Sequence, residues 1–290
     1  MNFFYKNKLF INLVKKIQLC SNRFLQKVDV VKEIVFQNQW DKKFIGCVYL
    51  DYKLNDRVKI RLYKESVLSQ LIYKGFEIEE CGYLKSVLKE GDYFVDVGAN
   101  IGLFSLIASD LVGQSGKVIS FEPTPEIFRR FNENIQINQF TNIDSFNIGL
   151  SNLPGSLAFN ISNNGFDAWN SFAIPNNLNI DSKIQVNVST LDIELSKYDK
   201  SKIRIIKMDV EGWEKFVLKG GIEFFTNYNP EVMVEFTEAN TFAAGYMIQE
   251  IYDFMVGLGY QWYKIENHKL IKSEKKIHYP YENLIAKKIK

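Results

Sequence analysis

The sequence predicts an α/β domain built around a doubly wound parallel sheet. Two observations support this: short apolar runs alternate with helical patterns from Tyr93 onward, and a glycine-rich turn follows the first of these runs. Strands that alternate with helices are typical of parallel sheets, whose strands are joined by right-handed helical crossovers. The chain has 290 residues, of which 46% are hydrophobic, so it is long enough to bury such a core.

The predicted elements follow one another in a regular order. Strands are predicted at residues 93–97, 117–122 and 143–148, because each is a short run rich in β-branched or aromatic residues. Helices are predicted at 102–112 and after Pro125, between these strands. A second series follows, with strands at 203–209, 231–236, 260–265 and 283–287 and helices at 213–218 and 246–257.

The pattern divides the chain into an N-terminal extension, residues 1–75, and a main domain, residues 76–290. Residues 79–91, at the start of the main domain, have helical spacing that ends at Gly91, a residue type common after helix C-termini. Residues 151–190 interrupt the alternation with β-like runs rich in Asn, Ser and Gly. Insertions of this kind often shape binding sites, so we expect this one on the substrate side.

The N-terminal extension is expected to combine helical segments with a β-hairpin. Residues 44–63 alternate β-branched and aromatic residues around a turn at 54–56, which predicts the hairpin. Residues 9–20 predict an amphipathic surface helix, because two lysines interrupt an apolar run that is too short to span a bilayer. Peripheral membrane contact through this helix is the alternative interpretation.

Charge and cysteine content argue against several classes of protein. The formal net charge is +2, so no strong field for nucleic acid is present and no nucleic-acid partner is expected. Cys20, Cys47 and Cys81 are odd in number and widely spaced, which argues against a disulfide framework or a zinc site. We therefore expect a cytoplasmic protein without a transmembrane segment. The sequence carries no signal for an oligomeric state.

The turn after the first predicted strand of the main domain suggests a cofactor site. It reads Asp-Val-Gly-Ala-Asn-Ile-Gly from Asp96 to Gly102, and Gly98 and Gly102 are expected to let a ligand approach the backbone. Glu122 ends the next strand, 24 positions after Gly98 (122 − 98). An acid at about this spacing, ~20 residues, accepts hydrogen bonds from ribose hydroxyls. Together these features predict an adenosine-containing cofactor.

The same turn indicates which cofactor. Asn100 occupies the position of the second glycine of dinucleotide-binding loops, and no Gly-Lys-Ser/Thr sequence completes a phosphate loop. An acid before the turn suits a ligand with an ammonium group, so Asp96 is expected to bind it directly or through water. S-adenosylmethionine has both an amino acid part and a ribose. Asn147, after the third strand, is expected near the adenine; alternatively, Asp96 caps the turn and Glu122 is a surface acid.

Five segments of the sequence resemble motifs of the FkbM family of S-adenosylmethionine-dependent methyltransferases. They are DVGANIG at 96–102, FEP at 121–123, IKMDVEGWE at 206–214, PEVMVEF at 230–236 and NLIAKK at 283–288. The resemblance covers about residues 75–288 and leaves residues 1–75 without a family motif. It implies a class I methyltransferase fold, which is Rossmann-like with seven strands, the last antiparallel. It also implies O-methylation, often of a sugar or polyketide hydroxyl.

Three residues near the end of the strand 203–209 are candidates for catalysis. Lys207, Asp209 and Glu211 stand at alternate positions, which project to one side of an extended chain. Either Asp209 or Glu211 is expected to accept the proton of an acceptor hydroxyl, while Lys207 stabilises the developing alkoxide. Alternatively, Glu211 and Glu214 stabilise the start of the next helix and Lys207 is their ion-pair partner.

A divalent metal ion is an alternative use of the same carboxylates. Mg²⁺ prefers oxygen ligands, and Asp209, Glu211 and either Glu235 or Glu238 could supply them. The spacing of these residues matches no established metal motif, so a metal site is not favoured.

The insertion supplies candidate substrate contacts. Trp169, Asn170 and Ser171 could stack on a sugar ring and hydrogen-bond to it. The sequence therefore predicts a methyltransferase that modifies a hydroxyl of a small molecule or glycan, most simply a sugar of a polysaccharide or another glycoconjugate. Two alternatives stay open: methylation of RNA or another acceptor, and a non-catalytic binding module that keeps the cofactor fold.

Overall fold

The computed structural model describes residues 30–162, 170–173, 182–267 and 269–289. These residues belong to two compact units, the first ending at Leu50 and the second beginning at Asp51. The larger unit therefore starts ahead of the boundary after residue 75 that the sequence suggested.

The helices and strands come in the predicted order. The strands of the described residues are β1 (Tyr49–Lys53), β2 (Lys59–Tyr63), β3 (Tyr93–Val97), β4 (Lys117–Phe121), β5 (Ile143–Phe146), β6 (Gly149–Leu150), β7 (Gly155–Ile161), β8 (Ser182–Ser189), β9 (Ile203–Met208), β10 (Glu231–Phe236), β11 (Tyr260–Glu266), β12 (Lys269–Lys272) and β13 (Glu282–Lys288). The α-helices are α1 (30–43), α2 (Val67–Tyr73), α3 (Ile78–Val87), α4 (Leu103–Val112), α5 (Pro125–Ile137), α6 (Leu191–Glu194), α7 (Glu214–Lys219), α8 (Ile222–Asn227), α9 (Glu238–Ala243) and α10 (Gln249–Gly257). The predicted limits of β3, α4 and β4 are confirmed to within one residue.

The first unit contains helix α1, whose aromatic side chains pack along one side. The rings of Trp40 and Phe44 lie 4.6 Å apart and those of Phe36 and Trp40 lie 6.1 Å apart, measured between ring centroids. The amphipathic helix predicted at residues 9–20, with its membrane contact, lies outside the described residues.

The predicted hairpin is confirmed in β1 and β2, which form a two-stranded sheet. Asn55 closes its turn, because its Oδ1 accepts hydrogen bonds from the N–H groups of Arg57 (2.7 Å) and Val58 (2.8 Å). Strand β2 is also bound to α5, where Asn134 Oδ1 accepts the N–H of Arg61 at 2.6 Å. This attachment explains why residues well before 76 belong to the larger unit.

The role predicted for Gly91 is wrong. Helix α3 ends at Val87, because Leu88 already has extended backbone angles (φ −76°, ψ 142°). Gly91 instead has a left-handed φ of +90°, and its N–H donates to Val112 O at 2.9 Å. It shapes the turn that leads into β3.

The main sheet has the predicted architecture. Among the described residues it contains eight strands in the order β12-β11-β13-β10-β9-β3-β4-β5. Strands β10, β9, β3, β4 and β5 are parallel, and β13 is inserted antiparallel between β10 and β11. The class I methyltransferase arrangement of seven strands with an antiparallel last strand is thereby confirmed. Strand β12 adds a further antiparallel edge strand.

The strand order reverses between β3 and β9. From β3 the chain runs outward to β4 and β5, then returns to β9 on the other side of β3. The ends of β3 and β9 lie very close together, since Asp209 N–H donates to Val97 O at 3.1 Å. A Cβ at Gly98 would lie only 1.9 Å from Asp209 O, and Gly98 has φ +81°. In doubly wound sheets, ligands bind beside such a switch point, at the carboxyl ends of the strands.

The insertion forms a separate three-stranded sheet, in the order β6-β8-β7. Strands β7 and β8 pair antiparallel, as the β-like runs predicted, and bury Phe159, Val186 and Val188 between them and their neighbours. An isolated bridge between Asn160 and Ser171 holds the chain after β7 against this sheet.

The core lies around the central parallel strands, and all six residues of β10 are buried. Helix α4 packs on β3 and β4, while α10 packs on β11 and α7. Edge-to-face packing of Phe236 against Trp262, with ring centroids 4.9 Å apart, joins β10 to β11. Across the residues that the structure describes, none of the helices has both the length and the apolar character needed to cross a bilayer.

Gly98→Ala is expected to reduce the free energy of unfolding by at least about 2 kcal/mol. A side chain there meets the Asp209 carbonyl and must adopt a left-handed φ. Gly155→Ala is the control, because a Cβ at Gly155 has nothing within 4 Å, and a change of no more than ~0.5 kcal/mol is expected. Urea unfolding followed by circular dichroism measures both; equal midpoints would contradict the close approach of β3 and β9.

Candidate active site

The carboxyl ends of the central strands surround a cavity of ≈ 380 Å³. This volume lies in the range of ~300–1,000 Å³ that is typical of small-molecule sites. The ionisable acidic and basic residues in its wall are Glu77, Glu122, Lys207, Asp209, Glu211 and Glu235. Most of them lie near the ends of β4, β9 and β10, which meet at one edge of the sheet.

The loop after β3 forms the floor of the cavity. Gly98 and Asn100 line the wall, and Asn100 has a left-handed φ of +48°. Gly102 (φ +94°) is buried away from the cavity, where a Cβ would lie 2.3 Å from the Phe131 ring. Both glycines were expected to make room for a ligand. A side chain at these positions would meet Asp209 and Phe131, so both glycines also permit the packing of the protein on itself. Of the two, only Gly98 lines the cavity.

Glu122 extends from the end of β4 into the cavity wall and is held by two backbone groups. Its Oε2 accepts the N–H of Asn100 at 3.0 Å, and its Oε1 accepts the N–H of Thr124 at 2.8 Å. Burial raises the pKa of Glu122 to about 7, and these hydrogen bonds oppose the shift. The carboxyl group is therefore fixed in place by the loops that follow β3 and β4, and it is buried rather than a surface acid.

Asp96 lies beneath the cavity and outside its wall, with only 1% of its surface exposed. Its Oδ2 accepts a hydrogen bond from Ser105 Oγ at 2.6 Å, while its Oδ1 is buried without a hydrogen-bond partner among the described residues. Burial raises the pKa of Asp96, and the charge of Lys207 opposes this. Because Asp96 is outside the wall, a hydrogen bond between its carboxylate and a ligand in the cavity would be bridged by a water molecule.

Asn147 is exposed and does not line the cavity. Its Nδ2 donates to the backbone oxygens of Glu122 (2.8 Å) and Pro123 (3.1 Å). It supports the chain that leaves β4, while Ile148 and Gly149 form the cavity wall beside it.

Lys207 and Asp209 form a buried ion pair at the end of β9. Lys207 Nζ lies 3.0 Å from Asp209 Oδ2 and 4.7 Å from the centroid of the Phe104 ring. Burial alone would raise the pKa of Asp209, but the Lys207 ammonium outweighs it and the pKa lies below its usual value. The same attraction raises the pKa of Lys207 against the effect of burial. Both groups are therefore charged at neutral pH.

Glu211 lines the cavity, but from a turn and not from the extended strand that was predicted. Strand β9 ends at Met208, so Glu211 is not part of an extended strand; it lies in a turn with φ +53°. Asn240 Nδ2 donates to Glu211 Oε2 at 2.5 Å. Burial, followed by the charge of Asp209, raises the pKa of Glu211 well above its usual value. The left-handed turn directs Glu211 into the same wall as Asp209.

Glu214 stabilises this turn from inside. Its Oε1 accepts the N–H groups of Val210 and Gly212, each at 3.1 Å, and only 2% of the residue is exposed. The sequence offered Glu211 and Glu214 as residues that stabilise the start of the next helix. Of these two, Glu214 has a structural role of this kind. Glu211 instead lines the cavity, and Lys207 is paired with Asp209.

The structure adds two carboxyl groups that we had not predicted as catalytic or cofactor-binding. Glu235 is the penultimate residue of β10 and is 8% exposed; burial, followed by the charge of Asp209, raises its pKa well above the usual value. Glu77 precedes α3 with φ +53°, and its Oε1 accepts a hydrogen bond from Asn283 Nδ2 at 3.2 Å. Burial raises the pKa of Glu77 to about 8. Glu235 could have been found as a strand-end acid, whereas no sequence signal marks Glu77.

The predicted substrate residues of the insertion have different positions. Asn170 lines the cavity. Ser171 is 2% exposed, and its Oγ donates to Glu211 O at 2.7 Å, so it supports the turn at Glu211. Trp169 lies outside the described residues.

Two phenylalanines of the insertion also line the cavity. Phe159 and Phe172 pack edge to face with ring centroids 4.7 Å apart, and Phe172 lies 5.1 Å from the ring of Trp213. They add two apolar rings to the cavity wall.

Three carboxylates have the geometry of a candidate metal site. One oxygen each from Asp209, Glu211 and Glu235 lies within 4.8 Å of the others, and such oxygens suit a divalent cation. Glu238, the other ligand considered from the sequence, is not in the wall; its Oε2 lies 3.3 Å from His278 Nδ1. The Lys207 ammonium already supplies one positive charge to this group.

Comparison with known families identifies the chain. The profile of the Methyltransferase FkbM domain matches residues 96–262, more than half of the chain, from the end of β3 to β11. The chain belongs to the FkbM methyltransferase family. The family predicted from the sequence is thus confirmed, and the protein is an S-adenosylmethionine-dependent methyltransferase.

A second profile, that of protein-L-isoaspartate(D-aspartate) O-methyltransferase, matches residues 6–155. It overlaps the FkbM match over residues 96–155, which carry the cofactor loop and Glu122. Only the FkbM profile continues through β9 and β10, where Asp209, Glu211 and Glu235 lie.

Individual relatives are distant. The chain is 25% identical over 206 residues to Methyltransferase 1 of Beauveria bassiana, covering 65% of this chain and 82% of the relative. It is 30% identical over 135 residues to the hexuronic acid methyltransferase AglP of Haloferax volcanii, covering 46% of this chain and 51% of AglP. The crystal structure of methyltransferase FkbM from Methylobacillus flagellatus KT superposes with a TM-score of 0.44 at 13% identity, covering 90% of this chain and 60% of that one.

Glu214→Ala should destabilise this FkbM domain by about 2–4 kcal/mol, because the N–H groups of Val210 and Gly212 would lose their acceptor. Glu223→Ala, at an exposed position on α8, is the control and should change the free energy of unfolding by less than ~0.5 kcal/mol. Chemical unfolding of both variants measures the difference. A Glu214→Ala protein as stable as its control would show that the turn does not depend on this carboxyl group.

Proposed function

We propose that the protein transfers the methyl group of S-adenosylmethionine to a hydroxyl oxygen, most simply on a sugar of a glycoconjugate. The observation that carries this proposal is one cavity whose wall contains Glu122 at the end of β4 and, across the switch point, Lys207, Asp209 and Glu211. One side of the cavity is suited to the cofactor and the other to deprotonating an alcohol.

The residues of the first side suit S-adenosylmethionine. Glu122 stands in the wall with both oxygens fixed by backbone N–H groups, ready to accept further hydrogen bonds from ribose hydroxyls. The unpartnered Oδ1 of Asp96 lies beneath the same loop and could bind the amino group through water. Gly98 and Asn100 would contact the amino acid part, and Ile148 and Gly149 the adenine.

The cofactor supplies an electrophilic methyl group whose sulfonium leaves as a neutral thioether. The acceptor oxygen must therefore lie in line with the sulfur and lose its proton as the new O–C bond forms. Holding the reacting atoms in contact supplies much of the acceleration, so the shape of the cavity is part of catalysis. The bond broken is S–CH₃, the bond formed is O–CH₃, and the proton passes to the protein.

Glu211 is the base that we favour. A general base works best when its pKa is near the operating pH, and Glu211 has a strongly raised pKa whereas Asp209 is held charged by Lys207. Asp209 would then orient the acceptor hydroxyl. Lys207 would reduce the cost of negative charge on the acceptor oxygen. Asn240 keeps the Glu211 carboxyl directed into the cavity through the bond at Oε2.

A sugar is the acceptor class that the wall supports best. Phe159 and Phe172 offer apolar faces for a sugar ring, and Asn170 offers an amide beside them. AglP, named as a hexuronic acid methyltransferase, is consistent with an acceptor of this class among related proteins.

Glu122→Gln should weaken binding of S-adenosylhomocysteine about tenfold or more, because the amide replaces a charged acceptor of ribose hydrogen bonds. Isothermal titration calorimetry measures the affinity, and circular dichroism checks that the variant is folded. Glu126→Gln, on the exposed side of α5, serves as the control with unchanged affinity. Equal affinities of the two variants would remove Glu122 from the cofactor site.

Glu211→Gln should lower kcat by about 10²–10⁴-fold while S-adenosylhomocysteine binds as before. Because the base works ionised, wild-type kcat should fall as the pH drops through the raised pKa of Glu211, and the variant should lack this limb. Asp209→Asn should also reduce turnover with little effect on cofactor affinity. Glu238→Gln, outside the cavity wall, is the control. Wild-type turnover of Glu211→Gln would refute the assignment.

A further inference from the structure

Helix α5 carries a fully buried amide, that of Asn134, which lies outside the cavity wall and joins two separate parts of the chain. Its Oδ1 accepts the N–H of Arg61 in β2 at 2.6 Å, and its Nδ2 donates to Ile101 O at 2.8 Å. Ile101 belongs to the loop after β3, residues 98–102. One partner is a donor and the other an acceptor, so together they fix the orientation of the amide.

The loop after β3 has a backbone conformation that needs such support. Asn100 has a left-handed φ of +48°, which is unfavourable for a residue with a side chain. Its N–H donates to Glu122 Oε2 at 3.0 Å, and the carbonyl of the next residue, Ile101, accepts from Asn134. The loop is therefore held by a hydrogen bond on each side of the left-handed residue, which itself lines the cavity.

A second contact of α5 fixes the distance between the helix and this loop. Phe131 and Asn134 are three residues apart, so they share one face of the helix. The Phe131 ring fills the space that a Cβ at Gly102 would need, 2.3 Å away. Apolar packing thus sets how closely the loop approaches α5, while the Asn134 amide sets the direction of the Ile101 carbonyl.

The other partner of Asn134 leads to a different part of the cavity wall. From β2, the N–H of Tyr63 donates to Ser69 Oγ of α2 at 3.0 Å. Leu68 and Leu71 of the same helix line the cavity. Strand β2 and α2 precede the part of the chain that matches the FkbM profile. Asn134 therefore connects this preceding segment to the loop after β3.

We propose that Asn134 is a positioning residue for S-adenosylmethionine: its amide holds the Ile101 carbonyl and, through Arg61, the hairpin, and so keeps Asn100 and its neighbours in the conformation that binds the cofactor. This inference rests on the cofactor site of the function proposed above. Asn134 acts through the loop, because it does not line the cavity itself.

The test uses a matched pair of variants on α5. Asn134→Asp keeps an acceptor for the Arg61 N–H but loses the donor to Ile101 O. Asn138→Asp is the control, because Asn138 binds the N–H (2.8 Å) and the carbonyl (2.7 Å) of Lys59 in the same strand without touching the loop. Isothermal titration calorimetry of the full-length proteins should show S-adenosylhomocysteine binding about tenfold or more weaker in Asn134→Asp and unchanged in the control.

Two leucine variants repeat the comparison without adding charge. Asn134→Leu should again bind S-adenosylhomocysteine more weakly than Asn138→Leu. Circular dichroism and urea unfolding show that each variant is folded. A role in stability alone would lower the unfolding midpoint of an Asn134 variant and leave its affinity equal to that of the control.

A measurement on the wild-type protein keeps the proposal testable if the Asn134 variants do not fold. If Asn134 couples the loop to β2, cofactor binding must strengthen this connection in return. S-adenosylhomocysteine should therefore slow hydrogen exchange of the Arg61 amide, measured by NMR, although β2 does not line the cavity. The amide of Val58, bound within the hairpin turn by Asn55 at 2.8 Å, is the control and should change less.

Failures of the two proposals can be told apart. If the Asn134 variants bind S-adenosylhomocysteine as tightly as their controls, or if the ligand leaves exchange at Arg61 unchanged, the positioning role is wrong, and weaker binding by Glu122→Gln still supports the cofactor site. If the wild-type protein does not bind S-adenosylhomocysteine, the proposed function fails and the inference fails with it.

Discussion

The contact between the ends of β3 and β9 is the constraint on which the site depends. Asp209 N–H donates to Val97 O, and the Asp209 carbonyl occupies the space where any side chain at position 98 would be. This contact joins the loop after β3 to the end of β9 across the point where the strand order reverses. The groups proposed to bind cofactor and to accept a proton are thereby fixed relative to each other by backbone, which is more rigid than contacts between side chains.

A second constraint is electrostatic. Lys207 is buried and surrounded by carboxyl groups, and its charge keeps Asp209 ionised while burial favours the neutral forms of Glu211 and Glu235. Neighbouring acids in one cavity therefore have different pKa values. Such a difference allows one acid to act as a general base and another to orient the acceptor hydroxyl. Hydrogen bonds from Asn240 and Thr237 hold the carboxyl groups of Glu211 and Glu235 in place.

Sequence patterns were sufficient for the sheet and for the strand-end acids. The βα alternation and apolar runs predict strands because the strands of a parallel sheet are buried on both faces, as in β10. The same rule finds Glu122 and Asp209, since parallel strands bring their carboxyl ends to one edge. It gives the wrong backbone for Glu211, which lines the cavity from a left-handed turn after the strand has ended. The separate helix-end rule fails for Gly91, which lies beyond the end of α3.

By itself, the sequence determined the fold, the family and the acids of β4 and β9, because periodicity and short motifs are local properties of the chain. Only the tertiary structure decided that Asp96 is covered while Glu235 faces the cavity, and that Gly98 and Gly102 make room for protein atoms. It also brought Glu77 to Asn283, 206 positions away, and placed Glu77 in the cavity wall. Such contacts depend on which elements the completed sheet brings together, and no local pattern encodes that.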